Sequence, residues 1–138
     1  STLDTTMRTI NLKKKQKIII SDTVGFISNL PLELISAFKS TLEEISFSDV
    51  ILHVRDISNP YNEFHYKNVK KILNEIDKNI ISKKKFIEVW NKIDLLEKKD
   101  LNYIKNKFSH SKKVILVSAK KNLGFEYLEN LLVKSFLE

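Results

Sequence analysis

The sequence predicts an α/β three-layer sandwich, with a mostly parallel sheet and crossover helices on both of its faces. Three observations carry this. Short apolar runs, among them Val50–Val54, Phe86–Trp90 and Val114–Val117, have the length and branched content of strands buried on both sides. Segments with helical spacing alternate with these runs. Polar loops stand at the carboxyl ends of the runs, which is where a parallel sheet keeps its ligand sites.

Ser1 to Thr6 carries no helix signal and reads as a loop. Met7-Arg8-Thr9-Ile10-Asn11-Leu12 alternates like a half-exposed strand, and a lysine cluster turns the chain into the all-apolar Lys17-Ile18-Ile19-Ile20. The pair reads as a hairpin. Leu30-Pro31 opens a helix with proline in its first turn, and Leu34, Phe38, Leu42 and Ile45 share its apolar face. After the strand ending at Arg55-Asp56, Asn59-Pro60 marks a turn into a helix whose core face is expected to hold Phe64, Val69, Ile72, Leu73 and Ile76. A polar helix near Glu97–Phe108 follows the Phe86–Trp90 strand. The last helix presents Leu128, Leu131, Leu132 and Phe136 as its expected buried stripe.

A length of 138 residues fits one domain, residues 1–138, with a core of its own. With 42% apolar and 30% charged residues the composition is that of a globular protein. There is no cysteine, which excludes disulfides and thiolate metal sites. No apolar run approaches a membrane span and no signal peptide opens the chain, so a cytoplasmic location is expected. The net charge of +7 is compatible with an acidic partner, yet the excess is almost all lysine in a chain rich in Asn and Ile. Lys13–Lys15 and Lys83–Lys85 therefore read as solvated turns, and no DNA partner is expected.

Chemistry concentrates at three strand ends. Asn91-Lys92-Ile93-Asp94 suits guanine: a carboxylate accepts in parallel from guanine N1–H and the 2-amino group, a donor pair adenine lacks. Asn91 can donate to N7, the stems of Lys92 and Lys120 can cover the two faces of the base, and a backbone N–H from Ser118-Ala119-Lys120 can reach O6. Asp22-Thr23-Val24-Gly25 is the third loop. Its carboxylate can hold a magnesium ion through water, and its glycine lets a backbone N–H approach a terminal phosphate.

Asp22-Thr23-Val24-Gly25-Phe26-Ile27, then Leu30-Pro31, then Ala37-Phe38-Lys39-Ser40-Thr41-Leu42-Glu43-Glu44 resembles the switch II region of the HflX family of translation-factor-class GTPases. Ser1-Thr2-Leu3-Asp4-Thr5-Thr6-Met7-Arg8 is similar to that family's switch I signature, with Thr5 where the family has proline. Leu52-His53-Val54, Asn91–Asp94 and Ser118–Lys120 continue the likeness over nearly the whole chain. The resemblance implies GTP or GDP as ligand with Mg²⁺ and a sheet of P-loop NTPase type, and the large ribosomal subunit as partner. Residue by residue it implies Thr2 and Asp22 at the metal, Gly25 at the γ-phosphate, and Asn91, Lys92, Asp94, Ser118, Ala119 and Lys120 at the base. Phe26 follows the switch glycine, where many GTPases carry a water-orienting glutamine, so no catalytic residue is assigned.

Two glycines, Gly25 and Gly124, cannot make a G-x-x-x-x-G-K-[ST] phosphate loop. By resemblance, the expected fold is a G domain lacking its central first strand and first helix, truncated and weak or inactive alone. The alternative is a non-enzymatic remnant that binds ribosomal RNA or protein. A flavodoxin-like or receiver domain gives no reason for N-K-x-D together with S-A-K. Arg55 and Glu88 stand in strands expected to be apolar; with level strand ends, His53 lies beside Glu88 and Arg55 diagonal to it. Either these form an ion-paired cluster, or relaxed selection tolerates them. His53 reads as a buried, hydrogen-bonded core residue, Trp90 as core packing, and His65 and His110 as surface residues.

Overall fold

In the computed structural model, residues 6–12, 17–22, 45–83 and 85–137 are described. The expected hairpin is present: β1 (Thr6–Asn11) and β2 (Lys17–Asp22) pair antiparallel from Thr6↔Asp22 to Asn11↔Lys17. The expected helix from Leu30 onward lies outside the described residues, apart from Ile45.

Three parallel strands form the second sheet, in the order β3 (Val50–Asp56), β4 (Lys85–Asn91), β5 (Val114–Leu116). The connections are helical: α1 (Asn62–Ile76) and the short α2 (Ile80–Lys83) lead to β4, and α3 (Lys98–Phe108) leads to β5. Helix α4 (Phe125–Leu137) closes the chain. Helices cover both faces, as the sandwich requires. On one face Leu132 and Val133 of α4 pack with Ile87, Leu52, Ile115 and the hairpin residues Leu12 and Ile18. On the other, Val69 and Leu73 of α1 and Ile80 of α2 pack with Ile51, Phe86 and Ile45. Among the described residues β2 and β3 share no pairing, in keeping with a partial GTPase sheet. No described helix is long and apolar enough to cross a membrane.

Two expected core residues are misplaced. Phe64 is 55% exposed, because the inward face of α1 follows Asn62, Tyr66, Val69 and Leu73, and Phe64 points the other way. Phe136 is 40% exposed; it lies a turn beyond Leu132, past the residues of the cluster, whereas Val133 is buried in its stead.

The charged residues of β3 and β4 do form an ion-paired cluster. Arg55 is in register with Trp90 and His53 with Glu88, so all four share the α1 face of the sheet. The buried Arg55 guanidinium donates through Nη1 to Glu88 Oε1 at 2.9 Å. Through Nη2 it donates to Asn62 Oδ1 at 2.6 Å and Glu63 Oε1 at 3.0 Å. Its carbon lies 4.4 Å from the Tyr66 ring centre and 4.9 Å from that of Trp90, the favoured placement of a cation over aromatic faces. Trp90 packs in the core as expected, edge-on to Phe108 of α3.

His53 departs from expectation. It is half-buried and stacked on Tyr66, but its Nδ1 is buried without a hydrogen-bond partner among the described residues. Burial first, and the Arg55 charge second, lower its pKa to about 4, so the ring is neutral. Packing against rings rather than hydrogen bonding holds it there.

Candidate nucleotide site

Where β3, β4 and β5 end, their loops are tied to one another. Val117 N–H donates to Trp90 O at 2.8 Å and Ile93 N–H to Val117 O at 3.3 Å, which joins the loop after β4 to the loop after β5. Ile57 N–H donates to Asn91 O at 3.1 Å and so ties in the end of β3. Lys92 takes a left-handed backbone conformation (φ 69°), uncommon for a lysine, and this turns the chain out of β4 into the 3₁₀ turn Ile93–Leu95. Beyond β5, Ser118 and Leu123 exchange both backbone hydrogen bonds and close a tight loop over Ala119–Asn122. Gly124 follows at φ +84°; a Cβ there would stand 2.1 Å from the carbonyl oxygen of Leu116, so only glycine lets this loop return under β5.

Around this frame lies a cavity of about 380 Å³ lined by Asn91, Lys92, Asp94, Leu95, Ala119 and Lys120. Five of these six were singled out by the sequence. The sixth is Leu95; Ser118, also singled out, is wholly buried behind them, its hydroxyl donating to Asp94 Oδ1 at 2.7 Å and accepting from Lys121 N–H at 3.1 Å. That fixes the carboxylate and leaves Oδ2 without a described donor. Asn91 Oδ1 accepts from Ala119 N–H at 3.0 Å, so the amide nitrogen of Asn91 is its donor end, without an acceptor among the described residues.

Of the three N–H groups expected to serve a base oxygen, Ser118's goes to Leu123 and Ala119's to Asn91. Lys120's is the one left without an acceptor among the described residues. Lys92 lines the cavity, but its ammonium is drawn back to Asp56 Oδ2 at 3.0 Å. Asp56 Oδ1 in turn accepts from Ser58 N–H and Oγ, at 3.0 and 2.6 Å. Burial pushes the Asp56 carboxyl up, but hydrogen bonds from Ser58 and Lys92 outweigh it and leave the pKa below the ordinary value.

Sequence reasoning missed Asp56 and Leu95. The signal for Asp56 was present, because level strand ends put it in register with Asn91. Thr2 and Gly25 lie outside the described residues, and of Asp22 only the backbone at the end of β2 is described. Among the described residues no group of three or more His, Asp or Glu is placed to hold a metal ion.

Comparison with known proteins identifies the family of the chain. The sequence model of a family described as 50S ribosome-binding GTPase matches residues 1–92. The GTPase HflX of Lacrimispora saccharolytica is 45% identical over 132 residues, covering 96% of this chain and 30% of its own. That of Caldanaerobacter subterraneus is 40% identical over 128 residues, 93% of this chain and 27% of its own. The GTPase HflX of Magnetococcus marinus is 43% identical over 101 residues, 73% of this chain and 23% of its own. The chain thus spans less than a third of the length of these relatives. Matched along most of its residues and folded as part of a GTPase sheet, it belongs to the HflX family of 50S ribosome-binding GTPases.

Proposed function

We propose that this chain binds GTP and GDP through the guanine base, at the rim cavity between the β4 and β5 loops. One observation supports this above the rest: the Ser118 hydroxyl holds Asp94 Oδ1 at 2.7 Å beside a cavity that Asp94 lines, while Oδ2 remains available to guanine N1–H and the 2-amino group. Asn91's amide nitrogen meets N7, Lys120's N–H meets O6, and the two lysine stems flank the ring. At the phosphate end, Thr2 and Asp22 are the residues proposed to hold Mg²⁺, with Gly25 at the γ-phosphate. The bound ion would neutralise phosphate charge.

Lacking a G-x-x-x-x-G-K-[ST] loop, the chain on its own holds the base but grips phosphate poorly. Isothermal calorimetry is expected to give weak GTP binding, and a nanomolar dissociation constant would overturn that. The base assignment has its own test. Asp94→Asn offers one donor and one acceptor in place of two acceptors, which suits a 2-oxo purine. Guanosine affinity is expected to fall by at least about tenfold while xanthosine affinity rises. Equal binding of guanosine and adenosine by the unaltered chain would sink the assignment.

Hydrolysis, with Phe26 after the switch glycine, depends on a group from a partner, here the large ribosomal subunit in the cytoplasm. A second reading has one observation in its favour. Lys67, Lys70, Lys71 and Lys78 line a shallow groove along α1, which suits a non-enzymatic module docked on ribosomal RNA. Phosphate release that appears only with ribosomes favours the first reading, and its absence under both conditions favours the second.

A further inference from the structure

We infer that Asp56 is a positioning residue for the base site, one that holds the Lys92 side chain as a fixed wall of the cavity and keeps its ammonium away from Asp94. The inference rests on the base-site reading and adds a residue to it.

The geometry is that of a relay from the end of one strand to the loop after the next. Ser58 fixes one oxygen of Asp56 twice, through its N–H and its hydroxyl, at 3.0 and 2.6 Å. The other oxygen faces the Lys92 ammonium at 3.0 Å. Asp56 and Asn91 are register partners, and Ile57 N–H binds the Asn91 carbonyl. The carboxylate is therefore fixed relative to the loop whose lysine it holds. Lys92 leaves β4 in a left-handed turn and lines the same cavity as Asp94.

That arrangement settles a competition. A lysine beside a carboxylate that awaits ligand donors is itself a donor, with three N–H groups and a full charge. Left free, the Lys92 ammonium would occupy Asp94 Oδ2, the one acceptor that Ser118 does not already engage. Paired with Asp56, it presents its methylene stem to the cavity instead. A flat apolar wall suits a planar base, and it selects by shape where Asp94 selects by hydrogen bonding.

The experiment is a titration of the chain with guanosine, followed by amide chemical shifts so that millimolar affinities can be read. Asp56→Asn is expected to weaken guanosine binding about two- to fivefold, the range of a half-exposed ion pair, with amide dispersion retained. Asp56→Glu is expected to recover part of the loss, and Ser58→Ala to reproduce a fraction of it. The deciding measurement is the cycle with Lys92→Met. In that background Asp56→Asn is expected to change nothing, because there is no ammonium left to hold. An equal loss in both backgrounds would overturn the inference. So would unchanged affinity in Asp56→Asn alongside a marked loss in Asp94→Asn, and that result would leave the base site standing. No guanosine binding by the unaltered chain would overturn both.

Discussion

Two successive rungs of the β3–β4 pairing carry charge in opposite ways. At the Arg55–Trp90 rung the guanidinium is walled in by Tyr66 and Trp90, and its side chain and that of Glu88 are 4% and 13% exposed. One residue on, at the Asp56–Asn91 rung, the side chains of Lys92 and Asp56 are 50% and 36% exposed. Both pairs close at about the same distance, 2.9 and 3.0 Å. Separation is thus not what distinguishes them; solvent is. A buried charge that loses its partner has no water to turn to, so the inner rung locks the packing of α1 on the sheet. An exposed pair contributes little to stability, so the rim pair can orient Lys92 without bearing on the fold.

The largest expected effect tests the inner rung. Arg55→Ala strands Glu88 in a dry setting and empties the space between two rings, so it is expected to cost roughly 3–5 kcal/mol in urea unfolding. A loss under about 1 kcal/mol would mean that the cluster contributes specificity and not stability. A second effect comes from His53, whose neutral ring is part of the same cluster. In the unfolded chain it takes a proton near its ordinary pKa of 6.5, whereas in the folded chain it does so only at about 4. Protonation therefore favours unfolding. Stability is expected to be insensitive to this group above pH 6.5, to decline from there toward about pH 4, and to lose that slope in His53→Phe. The smallest effect belongs to the rim. Asp56→Asn is expected to change stability by no more than about 1 kcal/mol, and less at high salt, even where it alters guanosine affinity. A larger loss would erase the contrast between the rungs.

Much of this contrast could be anticipated from the sequence. Strand boundaries followed from apolar runs that end in polar loops, and level ends placed His53 opposite Glu88 with Arg55 diagonal to it, as found. That the Asp94 and Ser118 loops meet at one rim followed from their strand ends, whereas the hydrogen bond between the two side chains did not. What stayed hidden depends on neighbours outside the segment being read. Phe64 is as apolar as Val69, and only the arrival of Asn62 and Tyr66 at Arg55 shows which side of α1 faces inward. The role of Ala119's N–H was likewise hidden, since composition says nothing of whether a donor is spent on Asn91 or saved for a ligand. The four-residue helix Ile80–Lys83 is too short for periodicity to announce.

The division into two sheets has a consequence for handling the protein. Among the described residues, β2 pairs with β1 alone and β3 with β4 alone, and Ile19 and Val54 on those strands are 70% and 60% exposed. Where such a flank is left unpaired, branched apolar side chains on it invite any extended peptide to add itself, other copies of the chain included. Against that tendency stands the net charge of +7, which keeps copies apart through mutual repulsion. Concentrated, salt-rich solutions screen the repulsion while leaving the flank untouched, so such solutions should drive this protein into aggregates.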